Sequence, residues 1–293
     1  MPRPLLTADV PWLLYRSFFS LPKSIRDAEG RPVNALLGTV NAILALIDGA
    51  PPEQVPRAVV ACMGAEQADY RVALYAPYHA HRDPMPQELR EQWERAEELL
   101  ASLGWTCAGS AELEADDVMF SFAEAEAAAG GVAWLMTGDR DLYGAVTDRV
   151  SFLELQKAGA RALLGPAEVR ERYAVEPAQV PDLIALRGDP SDGLPGAPGI
   201  GAKGAAELIA AHGSLEGALA AAADPASRMR PRQAAALAEN AELLLAFKQI
   251  ATLQRVPVER PADTPTNFAG GAAKAAEFGM RRLAARLEAL ATA

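Results

Sequence analysis

Short apolar runs alternate with longer amphipathic stretches through the first half of the chain. Leu5 to Ala8 ends on Asp9, and Ala58 to Met63 and Val132 to Met136 are similar runs, each followed by Gly or polar residues. Apolar runs of this length, bounded by turn residues, predict buried parallel strands. Asn34 to Ile47, Gln87 to Leu103 and Glu114 to Ala129 carry helical patterns between them. Strands alternating with helices predict an α/β fold with a central, mostly parallel sheet flanked by helices. Its ligand site is expected beyond the carboxyl ends of the strands. Asp9 and Asp139 fall at such ends.

After about Pro181 the pattern changes to short helices broken by Gly and Pro, and then to Ala-rich helical segments such as Leu215 to Ala223. Residues 1–180 are therefore expected to form the α/β core and residues 181–293 a helical subdomain. Val256 to Pro261 is expected to return as a strand to the first region.

Composition narrows the class. At 293 residues and 50% hydrophobic, the chain can bury a substantial core. No apolar stretch is long enough to span a bilayer and the N-terminus lacks a secretory pattern, so a soluble, cytoplasmic protein without a membrane partner is expected. Cys62 and Cys107, each in an apolar run, suit packing better than a disulfide or a thiolate zinc site. The net charge of −10 and pI near 4.9 argue at first against a nucleic-acid partner. That argument fails if many acids share one pocket and cations gather elsewhere.

The acids are grouped. Glu114–Ala115–Asp116–Asp117 opens an apolar helix, Thr137–Gly138–Asp139–Arg140–Asp141 follows a strand, and Gly188–Asp189–Pro190–Ser191–Asp192–Gly193 places two acids three residues apart. Each group alone suits helix capping, since acids favour a helix N-terminus. Together with Asp9 they suggest one pocket. Two carboxylates about 5 Å apart repel by roughly 3 kcal/mol at an effective dielectric near 20, so a converging set calls for cations. All-oxygen ligands suit Mg²⁺ or Mn²⁺, and two such ions can drive phosphodiester hydrolysis.

A second signal is Leu194–Pro195–Gly196–Ala197–Pro198–Gly199–Ile200–Gly201–Ala202–Lys203, which has the spacing of a helix-hairpin-helix. Gly199 and Gly201 permit a tight turn around Ile200 that exposes amide hydrogens, and Lys203 adds charge near the following helix N-terminus. Such a turn grips phosphate without reading bases. Arg71, Arg82, Arg90 and Arg95, interleaved with Tyr70, Tyr75, Tyr78, His79 and His81, could track a single strand by charge and stacking, or simply form a solvated face.

Asp9 with Tyr15–Arg16, the run Tyr75 to Arg82, the acidic groups and Gly188 to Lys203 together resemble the flap endonuclease and 5′–3′ exonuclease family, in the family's order and over nearly the whole chain. That family includes the N-terminal nuclease domain of bacterial DNA polymerase I and stand-alone relatives, and the absence of polymerase motifs suggests the latter. The resemblance implies a helical arch over the 5′ single strand and a helix-hairpin-helix on the duplex. It implies Asp9, Glu114, Asp116, Asp117, Asp139, Asp141, Asp189 and Asp192 as ligands of two Mg²⁺ or Mn²⁺ ions, directly or through water, with K⁺ at the hairpin. Arg71 and Arg82 match residues that contact the scissile phosphate. The implied partner is DNA with a 5′ flap or end, or an RNA–DNA primer junction, in a nucleoid-associated setting.

Three departures stand out. Gly64 occupies the place of a second-strand Asp, with Glu66 the nearest acid; His79 replaces a Lys; and Val10–Pro11–Trp12 replaces small residues after Asp9. Weakened or altered cleavage is therefore expected. Two other readings remain open: a branched-DNA-binding protein without turnover, and a ribonuclease with a related acidic pocket.

Overall fold

The computed structural model describes residues 2–156 and 161–292. Six strands, β1 (Leu5–Asp9), β2 (Ala58–Cys62), β3 (Thr106–Ala108), β4 (Ala133–Met136), β5 (Val150–Leu155) and β6 (Arg161–Leu164), form one sheet in the order β3-β2-β1-β4-β5-β6. All pairs are parallel except β5–β6. The three expected strands form its centre.

Side chains alternate across this sheet because the strand period is two. Leu5, Val60 and Leu135 point to one face, while Leu6, Ala61 and Met136 point to the other. Both faces are covered, which is why the central strands read as continuous apolar runs. On the second face lie α1 (Val10–Ser20), α2 (Asn34–Leu44), α4 (Gln87–Glu94) and α5 (Ala96–Ser102). The first face carries α6 (Ala115–Ala128), with α3 (Asp69–Leu74) packed beside its start. The helix expected over Gln87 to Leu103 is broken at Arg95, whose guanidinium pairs with Asp27 at 3.3 Å and lies over the Phe278 ring.

Past β6 come α7 (Pro166–Tyr173), α8 (Val180–Arg187), α9 (Ala202–His212), α10 (Leu215–Ala223), α11 (Pro231–Glu239) and α12 (Ala241–Ala251), which extend the core of the first face. The last two helices, α13 (Phe268–Glu277) and α14 (Arg281–Ala291), return to the second face and pack on α5 and α2 residues. Val256 to Pro261 does return to the α/β layers, but as extended chain without a strand partner. It runs beside α6, where Val256 N–H donates to Ser121 Oγ at 2.8 Å and Arg260 pairs with the buried Glu126. Side chains of a helix, not a strand edge, satisfy this backbone. No helix among the described residues is long and apolar enough to cross a membrane.

The strand order reverses between β1 and β4. In open α/β sheets a crevice opens at such a reversal, beyond the carboxyl ends of the strands. Asp9 ends β1 there and Asp139 follows β4 there.

Candidate active site

Asp9 is fixed by both neighbouring elements. Its Oδ1 accepts the Trp12 N–H at 2.9 Å, capping α1, while its Oδ2 accepts the Thr137 hydroxyl at 2.6 Å. Thr137 Oγ1 also accepts the Asp139 N–H at 3.0 Å, and Asp139 Oδ1 accepts the Asp141 N–H at 2.9 Å. One buried hydroxyl thus joins the two strand ends. The sequence shows Thr137 only as the start of an acidic motif and gives no sign of this role.

A cavity of about 840 Å³ opens above these residues. Asp9, Glu114, Asp116, Asp139, Asp141 and Asp192 line it, together with Arg71, Tyr78, His79 and Arg82. Their chain positions are far apart, and the reversal of the sheet, the start of α6 and the turn before the hairpin bring them together. Asp189 stands close enough to act on Asp139 and Asp141 electrostatically, with its own carboxylate accepting from Ser191 N–H at 2.8 Å.

Removal from water and mutual repulsion push Asp9, Asp116, Asp139 and Asp141 toward the protonated form. Burial, chiefly, raises Asp9 to about 6, opposed by the hydrogen bonds from Thr137 and Trp12. Burial and then Asp192, Asp9 and Asp189 raise Asp139 to about 7. Asp116 and Asp141 are pushed well above the ordinary carboxylate range, first by burial and next by Asp139. Asp116, Asp139 and Asp141 keep some surface open to the cavity, yet surrounding protein removes most of their hydration.

Asp117 does not join the cavity. Fully buried, its carboxylate pairs with Arg71 at 3.0 Å and accepts the Gln254 N–H at 2.7 Å. It ties α6 to α3 and to the chain after α12. Arg71 reaches the cavity wall but is engaged by Glu114, Asp117 and the Ile250 carbonyl. Tyr78 is likewise buried, its hydroxyl donating to Glu114, so the ring fixes that carboxylate rather than presenting a face to solvent. Tyr75 packs edge-on against Phe247, and Arg95 is held by Asp27. The basic and aromatic run from Tyr70 to Arg95 is therefore mostly internal, with Arg82 and Arg90 the exposed members of its arginines.

The segment expected as a helical arch consists of α3, a run of turns and α4. His79 sits in those turns with φ of 54°, stacked on Tyr78 at 3.8 Å. Its Nε2 lies 3.0 Å from Asp192 Oδ1, which also accepts from Arg82 at 3.2 Å, while His79 Nδ1 is buried without a partner among the described residues.

The other departures have steric explanations. A Cβ on Gly64 would stand 2.4 Å from the Ala115 backbone nitrogen, so the start of α6 occupies the space a side chain would need. Glu66 reaches the cavity instead, with its carboxylate 3.8 Å from Arg90. Trp12 lies against Gly138, where a Cβ would meet the indole at 2.3 Å. The large residue after Asp9 is matched by the missing one after Thr137.

The hairpin between α8 and α9 closes through Gly188, Gly193, Gly196 and Gly199, all at positive φ. Ile200 is buried as its anchor, Gly201 precedes the first turn of α9, and the Lys203 side chain is 92% exposed. Arg232 approaches Gly199 from α11.

The donor set fits divalent cations. Carboxylate oxygens that destabilise one another when ionised line a common cavity, and among the described residues no cysteine and only one imidazole, His79, line it to favour a softer metal. As the side chains stand, no three Asp, Glu, His or Cys groups among the described residues close on one ion position. An ion held by one or two carboxylates and several waters, as Mg²⁺ prefers, is compatible with that spacing.

A carboxylate-lined crevice at the reversal of a parallel sheet, followed by a helix-hairpin-helix, defines a metal-dependent 5′ nuclease class. The chain matches the 5′-3′ exonuclease N-terminal resolvase-like domain over residues 4–174 and the 5′-3′ exonuclease C-terminal SAM fold over residues 175–267. It belongs to the 5′-3′ exonuclease family. A 5′-3′ exonuclease of Streptomyces coelicolor is 38% identical, covering 95% of this chain and 94% of its own length. One from Mycobacterium tuberculosis is 36% identical over 98% of each. Among solved structures, the bacteriophage T5 D15 flap endonuclease in a pseudo-enzyme-product complex with DNA and metal ions superposes with a TM-score of 0.68. It is 19% identical and covers 99% of this chain and all of its own, a likeness of fold.

Proposed function

We propose that the chain hydrolyses phosphodiester bonds of DNA at 5′ ends or 5′ flaps, using Mg²⁺ or Mn²⁺ at the carboxylate cavity. The observation that carries this reading is the convergence of Asp9, Asp116, Asp139 and Asp141 on one cavity, where burial and mutual repulsion oppose their ionisation. Divalent ions held there would supply an activated water and stabilise the departing oxygen.

The chain's own residues have distinct tasks. Asp9, Asp116, Asp139, Asp141 and Asp192 face the ions, and Glu114 faces the cavity while anchored by Arg71 and Tyr78. Asp189 acts from behind Asp139 and Asp141, and Asp117 and Arg71 hold the first turn of α6 in place. Arg82, with nearly half its side chain exposed at the cavity, meets the phosphate, and His79 steadies Asp192 beside it. The hairpin of Gly199, Ile200, Gly201 and Lys203 takes the duplex backbone, and its carbonyl oxygens suit a K⁺ ion. Residues 1–180 thus cut while the helical region expected over residues 181–293 grips through its hairpin, its last helices α13 and α14 packing instead on the second face of the sheet.

Incubation with a 5′-flap duplex, a matching RNA flap and an RNA–DNA primer junction, across a Mg²⁺ and Mn²⁺ series, tests this. DNA products that vanish in chelator and with Asp139→Ala are expected. Flap binding without products in any metal would favour a binding protein, and preference for the RNA flap would favour a ribonuclease.

A further inference from the structure

One end of the cavity is aromatic rather than acidic. Trp12, Tyr15 and Phe19 line it from α1, and Pro84, Pro86 and Trp93 line it from the turns before α4 and from α4 itself. The α1 residues are spaced three and four apart, which puts them on one helix face beside Arg16. Asp9 caps the same helix, so the aromatic row begins one turn from that carboxylate and runs about 10 Å from Trp12 to Phe19 at the helical rise of 1.5 Å per residue.

Phe19 is the unexplained member. Its neighbour Phe18 is buried in the core, whereas Phe19 is 70% exposed, the most exposed large hydrophobic among the described residues. It is nevertheless held, edge-on to Phe18 at 5.2 Å and tilted against Tyr15 at 6.4 Å. A single exposed phenylalanine is ordinary on a protein surface. This one lines the cavity that holds the carboxylates, shares that lining with Trp93, Pro84 and Pro86, and has cations nearby. Arg82 and Arg90 act on Tyr15, with side chains 47% and 46% exposed, and Arg16 covers the Trp12 ring. Aromatic faces beside arginines suit stacked bases and their phosphates, which a purely apolar partner would not use.

We propose that Phe19, with Trp93 lining the same cavity from α4, stacks the bases of the unpaired 5′ strand as it leaves the carboxylates along α1. This rests on the nuclease reading above and moves the stacking contacts from Tyr75 and Tyr78, which pack inward, to the exposed face of α1. Continuity with the metal cavity selects a nucleic-acid strand over a protein partner, because the strand joined to the scissile phosphate must leave through that cavity.

The test compares a 5′-flap duplex with the same duplex lacking the flap, in Ca²⁺, by fluorescence anisotropy. A 2-aminopurine in the flap reports stacking. Phe19→Ala should weaken flap binding about fivefold or more, leave the flapless duplex unchanged, and abolish the 2-aminopurine quenching seen with the unaltered chain. Phe19→Trp should restore both signals and Phe19→Leu neither. Equal losses on both duplexes, no loss on either, or full rescue by Leu would overturn the proposal. The two readings fail separately. If the unaltered chain cuts flaps in an Asp139-dependent way and Phe19→Ala binds them equally well, stacking alone is refuted; if it neither cuts nor prefers flaps, the nuclease reading falls and the stacking proposal with it.

Discussion

The Thr137 hydroxyl donates to Asp9 Oδ2 at 2.6 Å, linking residues 128 positions apart at the reversal of the sheet. The same oxygen accepts the Asp139 N–H, so one side chain sets the orientation of a carboxylate on each side of the crevice. Thr137→Val preserves shape and removes both interactions. A residue that orients metal-binding groups typically contributes 10- to 100-fold, so cleavage should fall by about that factor while the fold persists. A rate unchanged within roughly twofold would show that the hydroxyl has no such role.

Gly64 abuts the backbone at Leu113–Ala115, where a Cβ would approach to 2.4 Å. Gly64→Ala should therefore destabilise by about 1–3 kcal/mol, the usual range for overpacking, as measured by denaturant unfolding. Gly64→Asp should lose at least as much stability without gaining activity, although it adds back a carboxylate. A more active Gly64→Asp would mean that the start of α6 yields readily.

Asp139 is raised to about 7 and Asp9 to about 6 from an ordinary 3.8, with Asp116 and Asp141 shifted the same way. The folded, metal-free chain then holds more protons than the unfolded chain between about pH 4 and 7. Its stabilising contribution from these groups is present below that window and is lost as pH rises through it. Acids lowered by ion pairs, such as Asp27 and Glu126, titrate below the same window. In EDTA the Tm should fall from pH 5 to pH 8, and saturating Mg²⁺ or Mn²⁺ should recover it at pH 8. Asp139→Asn should raise the EDTA value at pH 8 by a few degrees, since about 1 kcal/mol moves a protein of this size by roughly 2–4 °C. A Tm that climbs with pH in EDTA, or ignores the metals, would contradict the proposed cavity.

Lys203 extends into solvent from the first turn of α9, with Glu207 at 4.0 Å, and Arg232 stands beside Gly199. If both meet phosphates, removing the two together should reduce the slope of log K against log salt by roughly 2, at about 0.9 per contact. Flap and flapless duplexes should be affected alike, because the hairpin holds duplex backbone. An unchanged salt slope would place the duplex elsewhere.

Much of this molecule follows from local pattern. Strands buried on both faces must be apolar throughout, so Leu5 to Ala8, Ala58 to Cys62 and Ala133 to Met136 are legible in sequence. Gly199 marks the hairpin because few other residues permit its positive φ, whereas Gly201, expected to share that turn, is extended and only precedes α9. The acids were legible as groups, since carboxylates at strand ends and helix starts are conspicuous in an apolar setting. Sequence could not tell a carboxylate that lines the cavity from one that braces it: Asp116 and Asp117 are adjacent, yet the helical turn sends one to the cavity and the other into a buried pair with Arg71. Nor could it show that Tyr78 turns inward onto Glu114 while Phe19 remains uncovered. Periodicity determines which residues a strand or helix can bury, whereas the direction each polar group faces depends on neighbours brought from distant parts of the chain, and only the packed fold supplies those neighbours.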